Sequence, residues 1–306
     1  MVDQSDEFRH ATGGESNWQE NYMFLGWDDN RRIGTYLHLA HVPGRGVLDV
    51  KALVHMDGKV VSCDVEVPGD DCLAAPGLDA DVSTPLERWR LRYSGNGTPG
   101  EPGTWAAGTG EVPFGFDLDL TSKVTAVDWT PLVGLVDFPE RVAKTHYEQG
   151  MRLTGKVWVG DRESEIDGLL IRDHTWGPRE FDFDLGFWTP MVFDDGDYFV
   201  CGSSILLHGR WVGLLMHTDP SGTVKVCTDH VARANGPLVP GRYSEGTVFG
   251  ISGDGPAYTA DRFDFEGRLT IPVHYDSLAT GGKVMTDLYS AVSYGDKTGF
   301  GTFQWA

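Results

Sequence analysis

Apolar and polar positions alternate with a period of two in segment after segment, which marks half-buried strands rather than helices. In RWRLRY (88–93), Trp89, Leu91 and Tyr93 share one face and Arg88, Arg90 and Arg92 the other. FGFDLDL (114–120) sets Phe114, Phe116, Leu118 and Leu120 against Asp117 and Asp119. LTGKVWV (153–159) reads as a strand, followed by a turn at Gly160-Asp161 and a second strand in SEIDGLLI (164–171). YFVCGSSILL (198–207) and WVGLLMH (211–217) form a hairpin around His208-Gly209-Arg210, and RLTIPVH (268–274) and TDLYSAVSY (286–294) continue the pattern. Helical periodicity is scarce; FPERVAKTHY (138–147) could form one or two turns. SGNGTPGEPGT (94–104) and GDGP (253–256) read as loops from their composition.

Short strands with turn signals at roughly ten-residue spacing predict a sandwich or barrel. The 40 glycines and ten tryptophans among 306 residues fit that class, since glycine supplies turns and aromatics favour pleated, half-buried surfaces. The expected fold class is all-β, with two antiparallel β-barrels or sandwiches in tandem. The division is placed at residues 15–155 and 156–306, after a polar, acidic stretch over 1–14 that is expected to be disordered or loosely attached.

A formal net charge of −20 disfavours nucleic acid and anionic membranes as partners and fits simple solubility. No apolar run reaches the roughly 18 residues a membrane-spanning helix needs. MVDQSDEFRHATGGES lacks the basic and apolar regions of a signal peptide, so the expected compartment is the cytoplasm. There the four cysteines, Cys63, Cys72, Cys201 and Cys227, are expected as thiols. Association into a homodimer is compatible with a long β chain, though no residue specifies it.

Four segments carry a family resemblance: Trp18-x-Glu20-Asn21-Tyr22-x-Phe24, PLERWRLRYSG (85–95), HYEQGMRLTGKV (146–157) and GLLIRDHTWGPRE (168–180). Together they resemble a bacterial family related to the carotenoid 1,2-hydratase (hydroxyneurosporene synthase) and AttH-like superfamily, over about residues 15 to 306. The Asp-His-x-Trp-Gly element, here Asp173, His174, Trp176 and Gly177, is its most specific part. The resemblance implies tandem lipocalin-like β-barrels. The superfamily includes hydratases of isoprenoid double bonds, kievitone hydratase, decalin-forming Diels–Alderases and proteins that only bind lipids. It implies a cofactor-independent enzyme acting on a terpenoid, steroid-like or polyketide molecule, a hydro-lyase or an isomerase/cyclase. A non-catalytic carrier of a hydrophobic ligand is the alternative.

Within these segments Asp173 is the candidate general acid and base, because a carboxyl group in apolar surroundings can hold a proton near neutral pH. Pairing with Arg172 or Arg179, pinning a loop, is the competing role. His174 follows it directly, so in an extended segment the two side chains would leave opposite faces; Trp-Gly-Pro could supply a turn that unites them. His146 and Glu148, two apart, would share a face and could share a proton, with Tyr147 on the other face able to donate to a substrate oxygen. Trp176 and Trp188 could wall a developing cation or fill a core. Arg179 suits a carboxylate or an internal ion pair, and Glu20 and Asn21 could line an aromatic pocket. Ligand spacings such as HxH or HExxH are absent, as are a P-loop, a strand-linked GxGxxG and a GxSxG elbow. No metal, nucleotide cofactor or serine-hydrolase site is therefore expected.

Overall fold

The computed structural model describes residues 2–106, 108–135, 145–180, 183–194, 199–234, 248–254, 260–274 and 284–305. Its strands form two antiparallel sheets. The first comprises β1 (Trp18–Asp28), β2 (Ile33–Val42), β3 (Val47–Met56), β4 (Lys59–Pro68), β5 (Leu78–Thr84), β6 (Arg88–Gly100), β7 (Val112–Ser122), β8 (Val127–Asp128), β9 (Thr145–Val159) and β10 (Arg162–Pro178). The second holds β11 (Leu185–Phe193), β12 (Phe199–Leu207), β13 (Arg210–Thr218), β14 (Val224–Cys227), β15 (Asp229–Ala234), β16 (Val248–Asp254), β17 (Ala260–His274), β18 (Val284–Tyr294) and β19 (Lys297–Trp305).

The first sheet runs β10-β1-β2-β3-β4-β6-β7-β9, and pairing of β9 with β10 returns it to its start. Closure removes the free sheet edges that would otherwise template aggregation. Trp89, Leu91, Tyr93, Phe114, Phe116, Leu118 and Leu120 fill the interior, as the alternation predicts. The second sheet is ordered β14-β13-β12-β11-β19-β18-β17-β16-β15. The chain is thus a tandem of lipocalin-like β units.

Several expectations change. Ser94–Gly100 is strand, not loop: β6 pairs first with β7 (Gly95 opposite Phe114) and then with β4 (Gly100 opposite Val60). A Cβ on Gly97 would sit 2.7 Å from the Ser62 carbonyl oxygen, so glycine permits the approach that lets one strand change partners. Gly253 and Asp254 end β16, while the rest of GDGP and residues 138–144 of the proposed helical segment lie outside the described residues. The change of sheet, between Pro178 and Leu185, comes later than the 155/156 division, which falls inside β9. The N-terminal stretch is anchored: Gln4–Glu7 forms a 3-10 turn whose Glu7 is fully buried. The four cysteines are buried thiols.

The sheets pack against each other through Met23, Leu25, Trp27, Leu169 and Ile171 from the first and Val192, Phe199, Ile271 and Phe300 from the second, which belong to one cluster. The Tyr289 hydroxyl donates to the Thr35 carbonyl across this junction at 2.7 Å. Between the sheets runs a groove of about 700 Å³, with Trp27, Leu169, Phe265 and Phe300 among its walls. Gly150 of β9 packs directly on β11: a Cβ there would lie 2.6 Å from Val192 Cγ2 and 3.0 Å from its Cβ. Gly150→Ala should therefore lower the unfolding free energy by about 1–3 kcal/mol in chemical denaturation, the usual range for overpacking. Unchanged stability would contradict this packing.

Candidate functional site

β9 and β10 run antiparallel with Asp173 opposite Glu148, His174 opposite Tyr147 and Thr175 opposite His146. β1 lies on the other flank of β10, with Met23 opposite Asp173 and Tyr22 opposite His174. The Asp-His-Thr-Trp-Gly run is therefore extended strand rather than a loop, and the pleat sends alternate side chains to opposite faces. The sequence-predicted residues divide into two groups.

On the face toward the second sheet stand His146, Glu148 and Asp173. His146 Nε2 is within ion-pair distance of Asp173 Oδ2 and lies 3.0 Å from Glu148 Oε1. Its N–H is not directed at either oxygen in hydrogen-bond geometry, and Nδ1 and Glu148 Oε2 are also without a hydrogen-bond partner. Trp188 of β11 reaches across the junction and donates Nε1–H to Glu148 Oε1 at 2.6 Å. Trp129 lies parallel to the His146 ring, with centroids 5.3 Å apart and planes inclined by 7°; its buried Nε1 has no partner either. Asn21 and Arg179 converge on Thr175 Oγ1, at 3.2 and 2.5 Å, beside this group.

The electrostatics follow from burial. Taking His146 out of water disfavours its charge, but the Asp173 and Glu148 carboxylates outweigh that and raise its pKa to about 9. It is thus a protonated imidazolium at neutral pH, held between two carboxylates. Burial, reinforced by Glu148, pushes the Cys201 thiol well above its usual range, which keeps it protonated.

On the barrel-interior face stand Glu20, Tyr147, His174 and Trp176. His174 Nε2 is 3.1 Å from Glu20 Oε1, and its ring stacks on Tyr22 at 3.8 Å. His10, from the N-terminal stretch, reaches the same Glu20 oxygen at 2.8 Å and stacks on Trp176 at 3.9 Å. Burial lowers the His174 pKa despite Glu20; Glu20 itself is lowered, because hydrogen bonds from His10 and His174 outweigh its burial. The competing partners of Asp173 are engaged elsewhere: Arg172 binds Glu7 inside the barrel, and Arg179 Nη1 bonds Thr175.

Two triples have donor atoms within 4.8 Å of one another, His146-Glu148-Asp173 and His10-Glu20-His174, and each has the donor set for a divalent cation. Neither was visible as a spacing, because strand pairing and not sequence proximity assembles them. Sequence reasoning also missed Glu7, His10, Trp89 and Trp129. Glu7 and Trp89 meet only because the closed barrel brings residues 82 to 165 positions apart into contact, whereas His10 reaches Glu20 ten residues on and Trp129 reaches His146 through the β8–β9 pairing.

The raised pKa of His146 gives a signed pH dependence. Its folded value of about 9 exceeds the unfolded value of roughly 6.5. The stabilisation it brings is therefore complete below about pH 6.5 and is lost as pH rises through about 9. Buried Cys72 and Cys201, also raised, lose stability in the same alkaline direction. The readout is therefore the difference between wild type and His146→Gln in unfolding free energy from pH 6 to 10. The variant should lose part of the alkaline decline; parallel curves would show His146 neutral in the folded protein.

Among solved structures, the chain is similar to a putative AttH from Nitrosomonas europaea, at 12% identity and a TM-score of 0.63 over 96% of this chain and 94% of that one. It is also similar to kievitone hydratase from Nectria haematococca, at 11% identity and a TM-score of 0.55 over 99% of this chain and 94% of that one. CghA in complex with Sch210972 matches at 12% identity and a TM-score of 0.53, over 95% and 88%. At such identities the likeness is one of fold. No curated protein sequence matches the chain. A family model does, across residues 3–306, and the chain accordingly belongs to the family described as Domain of unknown function (DUF7064).

Proposed function

We propose that this protein is a cofactor-independent acid–base enzyme acting on a hydrophobic small molecule, with Asp173, His146 and Glu148 as its proton-handling group. The observation that carries the reading is the meeting of a raised-pKa imidazolium with two carboxylates at the sheet junction, where three polar atoms, Trp129 Nε1, His146 Nδ1 and Glu148 Oε2, are buried without hydrogen-bond partners. Buried polar groups are normally satisfied, so this concentration fits a place that a substrate or water completes.

The proposed roles follow from this arrangement. His146 supplies the proton reserve, Asp173 exchanges it with the reacting carbon or oxygen, and Glu148, oriented by Trp188, holds the imidazolium charge. In a hydration, Asp173 delivers a proton to an alkene carbon, water attacks the resulting cation, and the carboxylate recovers the proton that water loses. Dehydration is the reverse. A double-bond shift ends instead with loss of a neighbouring C–H proton, and a cyclisation uses the same acid to polarise the substrate. Trp129 and Trp188 present aromatic faces beside the site. The groove lies on the same face of β10, with Leu169 in its wall about 13 Å along the strand from Asp173. Its volume falls in the range of small-molecule pockets. The similarity in fold to kievitone hydratase and to CghA with its bound compound is compatible with a hydrophobic small-molecule substrate, for which a terpenoid, steroid-like or polyketide compound is proposed.

The test begins with mass spectrometry of whatever small molecule denatured protein releases, followed by turnover of that compound or its hydration partner. Asp173→Asn should lower kcat by roughly 10²- to 10⁴-fold, the usual contribution of a general acid–base, with ligand affinity little changed. A bound compound that no condition converts, held equally by the variant, would make the protein a carrier and overturn the reading.

A further inference from the structure

Inside the first barrel, on the face of β9 and β10 opposite the acid–base group, a carboxylate is held by a dedicated set of donors. It belongs to Glu7. Arg172 donates Nη1–H to Oε2 at 3.0 Å and Nη2–H to Oε1 at 2.5 Å, a two-pronged grip. Tyr147 donates its hydroxyl to Oε1 at 2.6 Å, Trp89 donates Nε1–H to Oε2, and the Leu86 backbone amide adds a further bond. The guanidinium is itself fixed. Gln149 Oε1 accepts from Nη2 at 3.1 Å, and the Trp89 and Tyr147 rings flank it with centroids 5.0 and 5.1 Å from Cζ. Burial pushes the Glu7 carboxyl up, but Arg172 and these donors outweigh it and hold the group ionised.

The donors and the acceptor differ in how they are attached. Arg172, Tyr147, Trp89 and Gln149 stand on β10, β9 and β6, strands of the closed barrel. Glu7 stands on a four-residue 3-10 turn, and no described residue before Trp18 enters a strand pairing. The turn is capped by its own Asp3 and Asp6. Beyond the Glu7 carboxylate, it is held to the barrel by Tyr22 Oη donating to the Glu7 carbonyl at 3.2 Å, by the His10 ring and backbone N–H on Glu20, by the His10 ring on Trp176, and by an ion pair of the exposed Arg9 with the exposed Asp70 at 3.3 Å. The rigid part of the molecule is thus a carboxylate receptor, and the part that fills it is a short segment held by side chains.

We propose that Arg172, Tyr147, Trp89 and the Leu86 amide form a binding site for a monocarboxylic acid with an apolar body, which Glu7 occupies as an internal plug and which an external acid takes when the plug withdraws. The planar, bidentate guanidinium selects a carboxylate. The space the turn vacates is walled by Tyr22, Trp89, Tyr147 and Trp176, which favours an apolar or aromatic body over a second charge.

The experiment uses the full chain carrying Glu7→Ala, which leaves the Arg172 charge without its partner, and propionate as the probe. The variant should melt below wild type. Propionate should raise its melting temperature saturably, by roughly 2–4 °C, while chloride at equal ionic strength does not. No rise, or an equal rise with chloride, overturns the proposal. Should Glu7→Ala fail to fold, wild type decides. Trypsin cleavage after Arg9, whose side chain is 42% exposed, is followed by mass. Several-fold faster cleavage with propionate than with chloride, corrected for trypsin's rate on a free peptide, supports a displaceable plug. An unchanged rate overturns it.

Discussion

The pleat of β10 is the constraint on which the remaining chemistry depends. Residues 169–176 of this strand pair with β1 on one side and β9 on the other, so over that stretch neither edge is free and each side chain has only two directions to take. Arg172, His174 and Trp176 enter the barrel; Asp173 and Thr175 meet the second sheet. A one-residue slip in register would exchange the two sets, placing a carboxylate in the barrel and an arginine at the junction. The apolar residues Leu170 and Phe24 within the barrel, and Ile171 and Leu25 outside it, hold the register against such a slip.

That division sets two neighbouring histidines in opposite states. His146 and His174 are both buried, and burial alone would keep both neutral. Two carboxylates reverse that outcome for His146, whereas the single carboxylate at His174 is shared with His10 and does not. The barrel side follows the same logic of compensation. A lone buried guanidinium would be intolerable, and breaking such a pair typically costs about 3–5 kcal/mol, a large part of a domain's stability. The acidic N-terminal stretch supplies the countercharge, which is why it is folded in and not trailing.

Much of the fold was legible. Period-two alternation located the strands around Trp89, Phe116 and Leu153 and excluded a helical architecture. It also placed His146 with Glu148 and apart from Tyr147, and it foresaw that Asp173 and His174 would separate if extended. What misled was composition. The Gly-Pro run of β6 resembled a loop because glycine serves turns and close strand approaches alike. Trp176-Gly177-Pro178 suggested a turn, yet Gly177 keeps the strand extended to Pro178. The Glu7–Arg172 pair had no local signature, since it arises within a closed barrel whose contacts span most of the first sheet's sequence; the Trp129–His146 stack follows from the short β8–β9 pairing, which the sequence pattern did not mark.

The most direct test of this account is a ring-nitrogen NMR titration of the histidines, comparing wild type with Asp173→Asn. His146 should be an imidazolium at pH 7.5 with a midpoint near 9, and the substitution should lower that midpoint, leaving His174 neutral and unmoved. A neutral His146 at pH 7.5, or His146 and His174 shifting together, would contradict the separation of the two faces.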